Sequence, residues 1–227
     1  MLPLPLSVPA ALAQRRATRH FDPSRSLDPE ILKQILQLAT LAPSGYNLQP
    51  WRFLVIESQA NRQRLRGCAF NQPKLTDAPV VVIVLGAHFP DKSYLNSIIA
   101  TQRELGILTA ETAAEMKART LTAMDRVSDR ALWTTRSTML AAMSLMLAAE
   151  SLGIASAPME GFDAARVAEA FGVPDDHSVC CLICLGHALK SQLFPGRLPL
   201  EEVCFEEHFG RPWTLGEASL DSTRPGH

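Results

Sequence analysis

The stretch Val80-Val81-Val82-Ile83-Val84-Leu85 is apolar at every position. A strand turns successive side chains to opposite faces, so an unbroken apolar run predicts a strand covered on both sides, in the middle of a sheet. Working outward, Trp51–Ile56 reads as a second strand and Val179–Leu185 as a third, also buried. The segments between them are helical. Asp28 caps a helix with Pro29 in its first position, and Leu27 can staple against Leu32. Ile31, Leu32, Ile35, Leu36, Leu38, Ala39 and Ala42 form its apolar stripe before Pro43 stops it. A first short helix starts after Ser7 and runs to about Arg16; another covers Gln59 to Arg66; Asp163 caps one that ends at Phe171-Gly172. The stretch from Asp91 to Asp129 is helical and more polar. It joins a long buried helix, Trp133 to Leu152, that stops at Gly153. Few strands and many helices imply one sheet with helices on both faces.

The 227 residues carry 22 Lys+Arg against 23 Asp+Glu, a formal charge of −1, and 47% are hydrophobic. That balance describes an ordinary globular chain and offers no bulk attraction to nucleic acid or anionic bilayers. Residues 1–210 are expected to form one domain, with 211–227 as a tail, because no linker divides them. Between Arg136 and Glu150 the long helix is uncharged for too short a distance to span a bilayer. Neither a membrane nor nucleic acid is therefore expected as a partner. The apolar start, Met1 to Ala13, ends in Ala11-Leu12-Ala13 like a signal-peptidase site. It has no basic residue ahead of it and is interrupted by Pro3, Pro5 and Pro9, so export is not expected. Five cysteines, an odd number in a chain able to build its own core, point to a reducing cytoplasm rather than a disulfide framework. Cys181 and Cys184 have the spacing of redox and zinc motifs, but residues three apart on a strand face opposite ways, so inert core thiols are expected. The six histidines are scattered, and no metal site is expected.

Four segments carry possible chemistry. Arg15-Arg16-Ala17-Thr18-Arg19 gathers three guanidinium groups near the end of the first helix. Such forks match phosphate oxygens, although cations there also complement the negative end of a helix dipole. Ala42-Pro43-Ser44-Gly45-Tyr46-Asn47-Leu48-Gln49-Pro50-Trp51 offers a hydroxyl, amides and, through Gly45, accessible backbone N–H groups to a polar heterocycle; the duller reading is a loop. Asn71-Gln72-Pro73-Lys74 places an amide and an ammonium three residues apart, on one face if the segment is a helical turn. That pair suits a carbonyl and a developing negative charge, against the alternative of a solvated lysine. Pro158-Met159-Glu160-Gly161 reads as a turn whose glycine permits close backbone approach, or else as a plain connection. No dinucleotide glycine fingerprint, P-loop or nucleophile elbow is present.

In this order and spacing, Arg-Arg-x-x-Arg-x-Phe, Ala-Pro-Ser-Gly-x-Asn-x-Gln-Pro-Trp, Asn-x-x-Lys and Pro-x-Glu-Gly resemble the flavin site of the nitroreductase family of FMN-dependent NAD(P)H oxidoreductases. The resemblance runs from about Arg15 to Pro199. It implies an α+β, three-layer α/β/α fold with a mostly antiparallel central sheet and the long helix at a dimer interface. It implies FMN as cofactor and NADH or NADPH as electron donor. Arg15, Arg16 and Arg19 would hold the phosphate and ribityl chain, joined by Arg197 from the far end of the chain. Ala17 falls within this set where the family commonly has serine, and a second basic residue found in some members near the position of Pro195 is absent. Asn71 and Lys74 would meet the pyrimidine edge, Lys74 stabilising negative charge arriving there. Pro158, Met159, Glu160 and Gly161 would line the opposite side, with backbone N–H groups near N5 and O4; Lys74 and Glu160 are the residues assigned to catalysis. Pro43, Ser44, Gly45 and Asn47 would reach the flavin of the other subunit, which makes a homodimer obligatory. The activity implied is electron transfer through FMN to a small acceptor such as a nitroaromatic, a quinone or a flavin, with ping-pong kinetics. Within Asp91–Asp129 would lie the excursion that selects the acceptor. The alternative function is a flavin-binding protein without turnover, for storage or sensing.

Overall fold

A computed structural model of the chain describes residues 5–88 and 92–213. The start of the N-terminal apolar stretch with Pro3, the opening Asp91 of the polar excursion, and residues 214–227 of the expected tail lie outside the described residues. The chain forms two compact units, residues 1–192 and 193–227.

In the first unit, α1 (Val8–Gln14) is capped by the Ser7 hydroxyl, and α2 (Pro29–Ala39) by the Asp28 carboxylate with Pro29 opening the helix. β1 (Trp51–Ile56), α3 (Gln59–Cys68), the single turn α4 (Lys74–Asp77) and β2 (Val80–Ala87) follow. α5 (Lys92–Glu104), α6 (Ala110–Asp125) and α7 (Arg130–Ser151) come next, then β3 (Ala155–Met159), α8 (Ala164–Phe171) and β4 (His177–Gly186). Asp163 caps α8, which Gly172 ends in the left-handed conformation (φ 63°). Among the described residues the four strands lie in the order β1-β2-β4-β3, each paired antiparallel with its neighbour.

The unbroken apolar strand sits inside the sheet, as its pattern requires. Val80, Val82 and Val84 enter one core with Ile35 of α2 and Ala142, Leu145 and Ala149 of α7. Val81, Ile83 and Leu85 enter the other with Leu65 of α3 and Val167 of α8. Cys181 faces the first core and Cys184 the second, so the two thiols stand on opposite sides of the sheet.

Two expectations need correction. The Pro158-Met159 pair is not a turn: both residues close β3, an edge strand, where a proline without an N–H is tolerated because only one side of the strand pairs within the sheet. Asn71 is not on a helical turn with Lys74, since its φ is 56° and the helix begins only at Lys74. The polar excursion is helical, as expected, and consists of two helices. They are separated at Gly106 (φ 70°), α6 starts at a Thr109–Thr112 capping box, and the pair holds a small core of its own around Leu95, Ile98, Ile99, Ala113 and Met124. Leu48 enters that same small core.

The long helix α7 buries one face and leaves Leu132 (49% exposed), Arg136 and Leu140 (48%) on another, four residues apart. Its first turns lie close on the sheet. The Thr134 hydroxyl donates to the Ala87 carbonyl (2.7 Å), and a Cβ built on Gly86 would stand 2.5 Å from Thr134 Cγ2. Among the described residues no helix is long and apolar enough to cross a membrane.

In the second unit, α9 (Leu200–Val203) leads into a small turn closed by a Phe205–Pro212 bridge, with Phe205 and Phe209 rings 4.6 Å apart. Arg197 belongs to this unit, its guanidinium 5.0 Å from the Phe194 ring centroid.

Candidate active site

The arginine segment leaves α1 and runs along the outer edge of the sheet. Arg15 is the C-cap of the helix. Arg16 turns back, its Nη1 donating to the carbonyls of Ala13 (2.8 Å), Gln14 (2.9 Å) and Arg15 (3.0 Å), so this cation serves the helix end. Ala17 then bridges Ser156 of β3 in parallel fashion, and the Thr18 N–H donates to the Ser156 carbonyl (3.0 Å). Gln192 straps the segment from the other side. With its amide in the orientation that satisfies both groups, the nitrogen donates to the Ala17 carbonyl (3.1 Å) and the oxygen accepts the Arg19 N–H (2.8 Å).

Arg16 and Thr18 line a cleft of about 300 Å³ with Glu150, Lys190 and Gln192. Among the described residues, Arg15 Nη1 is buried without a hydrogen-bond partner, and so is the hydroxyl of Ser156, across the bridge from Ala17. A buried donor left this way costs about 1–3 kcal/mol. Burial pushes the Glu150 carboxyl above its ordinary range, while the nearby charges of Arg15 and Arg16 draw it back in part.

The exit of β3 is tied to the turn after α3. Gln72 Nε2 donates to the Gly161 carbonyl (2.8 Å), the Asp163 N–H donates to the Cys68 carbonyl (2.8 Å), and a Cβ at Gly161 would press on Gln72 Nε2 at 3.0 Å. Phe70 and Asn71 hold φ values of 51° and 56°, a conformation costing roughly 1–3 kcal/mol at a non-glycine residue and concentrated at functional sites. Lys74 is half-buried, Met159 is buried, and Glu160 and Gly161 are exposed just past the strand. The charge of Lys74 is felt at the Cys184 thiol and that of Glu160 at the Cys181 thiol. From Ser156 to Gly161 is five residues, at most about 17 Å of chain. The arginine, Asn71–Lys74 and Pro158–Gly161 segments are thus arrayed along β3 and its exit.

The Ser44–Gln49 segment stands elsewhere. Tyr46, Asn47 and Gln49 are all left-handed (φ 53°, 53° and 45°). Gly45 gives its N–H to Ser137 Oγ (3.3 Å) rather than leaving it open, and a Cβ there would lie 2.8 Å from the Trp133 ring. The Ser44 hydroxyl accepts the Gln49 N–H (2.9 Å), and Tyr94 of α5 donates to the Gln49 carbonyl (2.9 Å). Pro43 and Asn47 are exposed. This segment therefore sits on the first half of α7, at Ser137. Arg15 and Arg16 act on Glu150, thirteen residues further along, which is about 20 Å of helix.

Sequence reasoning did not single out Gln192 or Trp133: Gln192 works through backbone partners, which no side-chain pattern advertises, and Trp133 reads only as the first apolar residue of a long helix.

Burial pushes both the Cys181 and Cys184 thiols up to about 12. At pH 8 only about one molecule in ten thousand then carries the reactive thiolate at either site. Iodoacetamide at that pH should leave both unlabelled in the native protein and label both after denaturation, read by peptide mass spectrometry. Rapid native labelling of Cys184 would contradict the assignment.

A profile described as the nitroreductase family matches residues 12–187. An NADH dehydrogenase of Thermus thermophilus is 32% identical over 87% of this chain and 95% of its own. An oxygen-insensitive NAD(P)H nitroreductase of Salmonella typhimurium is 28% identical over 88% of this chain and 100% of its own. Among solved structures, a nitroreductase candidate of Exiguobacterium sibiricum in complex with FMN superposes with a TM-score of 0.82. It is 28% identical, covering 91% of this chain and 100% of its own.

Proposed function

This chain belongs to the nitroreductase family, and from that membership we propose that it is an FMN-dependent oxidoreductase drawing electrons from NADH or NADPH. The proposed acceptor is a small molecule such as a nitroaromatic, a quinone or a flavin, and the kinetics are ping-pong, donor product leaving before acceptor binds. The observation that carries the reading is the buried, unpartnered Arg15 Nη1 on the edge segment beside β3, in line with the strand exit that bears Glu160 and Gly161. A phosphate group satisfies such a donor with a charge-assisted hydrogen bond.

Arg15 and Arg19 would hold the FMN phosphate, and the family resemblance assigns Arg197 to the same group. Arg16 is also assigned to this group, although its Nη1 caps α1. Ala17 adds a methyl where a hydroxyl is usual, so the arginines bear the anion alone. Asn71 and Lys74 would meet the pyrimidine edge, and Pro158, Met159, Glu160 and Gly161 the opposite side of the ring. When bound, FMN supplies the hydride and electron chemistry. Lys74 supplies a fixed positive charge, and the backbone N–H groups of Glu160 and Gly161 supply donors. Residues 1–210 are proposed to act as one flavin-binding domain with 211–227 as a tail, in a reducing cytoplasm, for which the five free cysteines speak.

The site is proposed to form between two copies. Pro43, Ser44, Gly45 and Asn47 are about 20 Å along α7 from the arginine end of the same chain. The exposed stripe Leu132–Arg136–Leu140 offers a second copy a surface that would bring its own loop across.

The purified protein should be yellow, sediment as a dimer, and lose its flavin absorbance when mixed anaerobically with NADH or NADPH. A yellow protein inert to both donors would make it a binder rather than an enzyme. A colourless protein that takes up no FMN would remove the cofactor assignment altogether.

A further inference from the structure

Two guanidinium groups one helical turn apart on α3 grip the segment that presents Lys74. Arg62 donates through Nε to the Glu57 carbonyl (3.2 Å) and through Nη1 to the carbonyls of Thr76 (2.8 Å) and Ala78. Arg66 takes hold nearer the start. Its own carbonyl accepts the Asn71 N–H (3.1 Å), its Nε donates to the Asn71 carbonyl (3.0 Å), and its Nη1 donates to the Thr76 hydroxyl (3.2 Å). The Thr76 hydroxyl donates in turn to the Pro73 carbonyl (2.9 Å). Asn71 and Thr76 bracket Lys74, so one planar fork spans the short helix from both ends. Ahead of it the chain passes through Phe70 and Asn71 at positive φ, a conformation that persists only where the surroundings impose it.

We infer that Arg66 is a positioning residue for the reaction proposed above: by holding Asn71 and Thr76 together, its guanidinium fixes where the Lys74 ammonium and the Asn71 amide stand. The inference rests on the flavin reading for the task those two groups perform, and on the hydrogen bonds alone for the hold itself. A guanidinium serves two acceptors in one plane; an ammonium does not, so lysine is a partial substitute. The effect is transmitted because a charge acting on a developing charge is sensitive to displacement, about 1 Å costing up to 100-fold in rate.

The test uses Arg66→Ala, Arg66→Lys and a control, Arg64→Ala, which removes the same charge from the same helix where the guanidinium lies 5.7 Å from the Phe171 ring centroid. Hydrogen exchange followed by mass spectrometry on flavin-free protein should show faster exchange in Arg66→Ala confined to residues 71–78. On the FMN-loaded dimer, reduction by NADH or NADPH should slow roughly tenfold or more. The flavin midpoint potential should fall, because the displaced ammonium favours the reduced, negatively charged ring less. Arg66→Lys should lie between wild type and Arg66→Ala, and it carries the test if Arg66→Ala does not fold. Arg64→Ala should match wild type throughout. Normal reduction and potential in the Arg66 variants overturn the inference, whether or not exchange quickens. Wild-type protein that never takes up FMN overturns this inference and the reading beneath it together, a result distinct from loaded wild type whose variants behave normally.

Discussion

Lys74→Ala should retain FMN and yet be reduced by NADH or NADPH about 100- to 1,000-fold more slowly than wild type, the usual loss when one preorganised donor to a developing anion is removed. Retention is expected because the arginines assigned to the phosphate lie on another segment, at the β3 edge. Slowing is expected because Lys74 is half-buried at the head of α4, held by its neighbours' hydrogen bonds, and so offers a charge that need not reorganise during the reaction. Stopped-flow mixing under anaerobic conditions reads the rate from the fading of flavin absorbance. A Lys74→Ala protein that fades at the wild-type rate removes Lys74 from the chemistry. One that no longer binds FMN makes it a cofactor anchor instead.

Gly86→Ala should destabilise the first unit strongly. A Cβ there would lie 2.5 Å from Thr134 Cγ2, 2.9 Å from Thr138 Oγ1 and 3.2 Å from Cys180 Sγ, three side chains from two different elements. None can step aside independently. Thr134 and Thr138 are fully buried between α7 and the sheet, and Cys180 is the extra residue where the β2–β4 register shifts between Val84 and Leu85. Overpacking of this kind costs about 3 kcal/mol. For a chain of this length that is a fall of roughly 6–12 °C in Tm by calorimetry. An unchanged Tm would mean that α7 is not seated on the sheet as closely as these distances state.

Much of this architecture was legible from the residues. The run Val80–Leu85 announces a strand buried on both faces, and its alternate residues do divide between two cores. The separation of Cys181 from Cys184 followed from strand periodicity alone. β3 escaped because Ala-Ser-Ala-Pro-Met has no β-branched or aromatic residue and contains a proline; it is a strand because β4 and the Arg15–Arg19 segment flank it, which is tertiary information. The helical character of the 91–129 excursion was legible, but the core it shares with Leu48 from a distant loop was not. At the site, the residue types of the four segments were readable, but their left-handed backbones were not. Nothing in Phe70 or Tyr46 signals positive φ; the hydrogen bonds of Arg66 and the packing of Trp133 on Gly45 act from other elements.

By pairing with Ser156, Ala17 and Thr18 cover part of the outer rim of β3. A terminal strand presents a row of free amides and carbonyls on which a foreign strand can polymerise. Here the rim is pinned at Ser156 by a short ribbon bearing three guanidinium groups, a like-charge barrier to a second copy. Fraying of those few residues would unmask the rim and remove the like-charge barrier at once, leaving β3 open to pairing with a foreign strand.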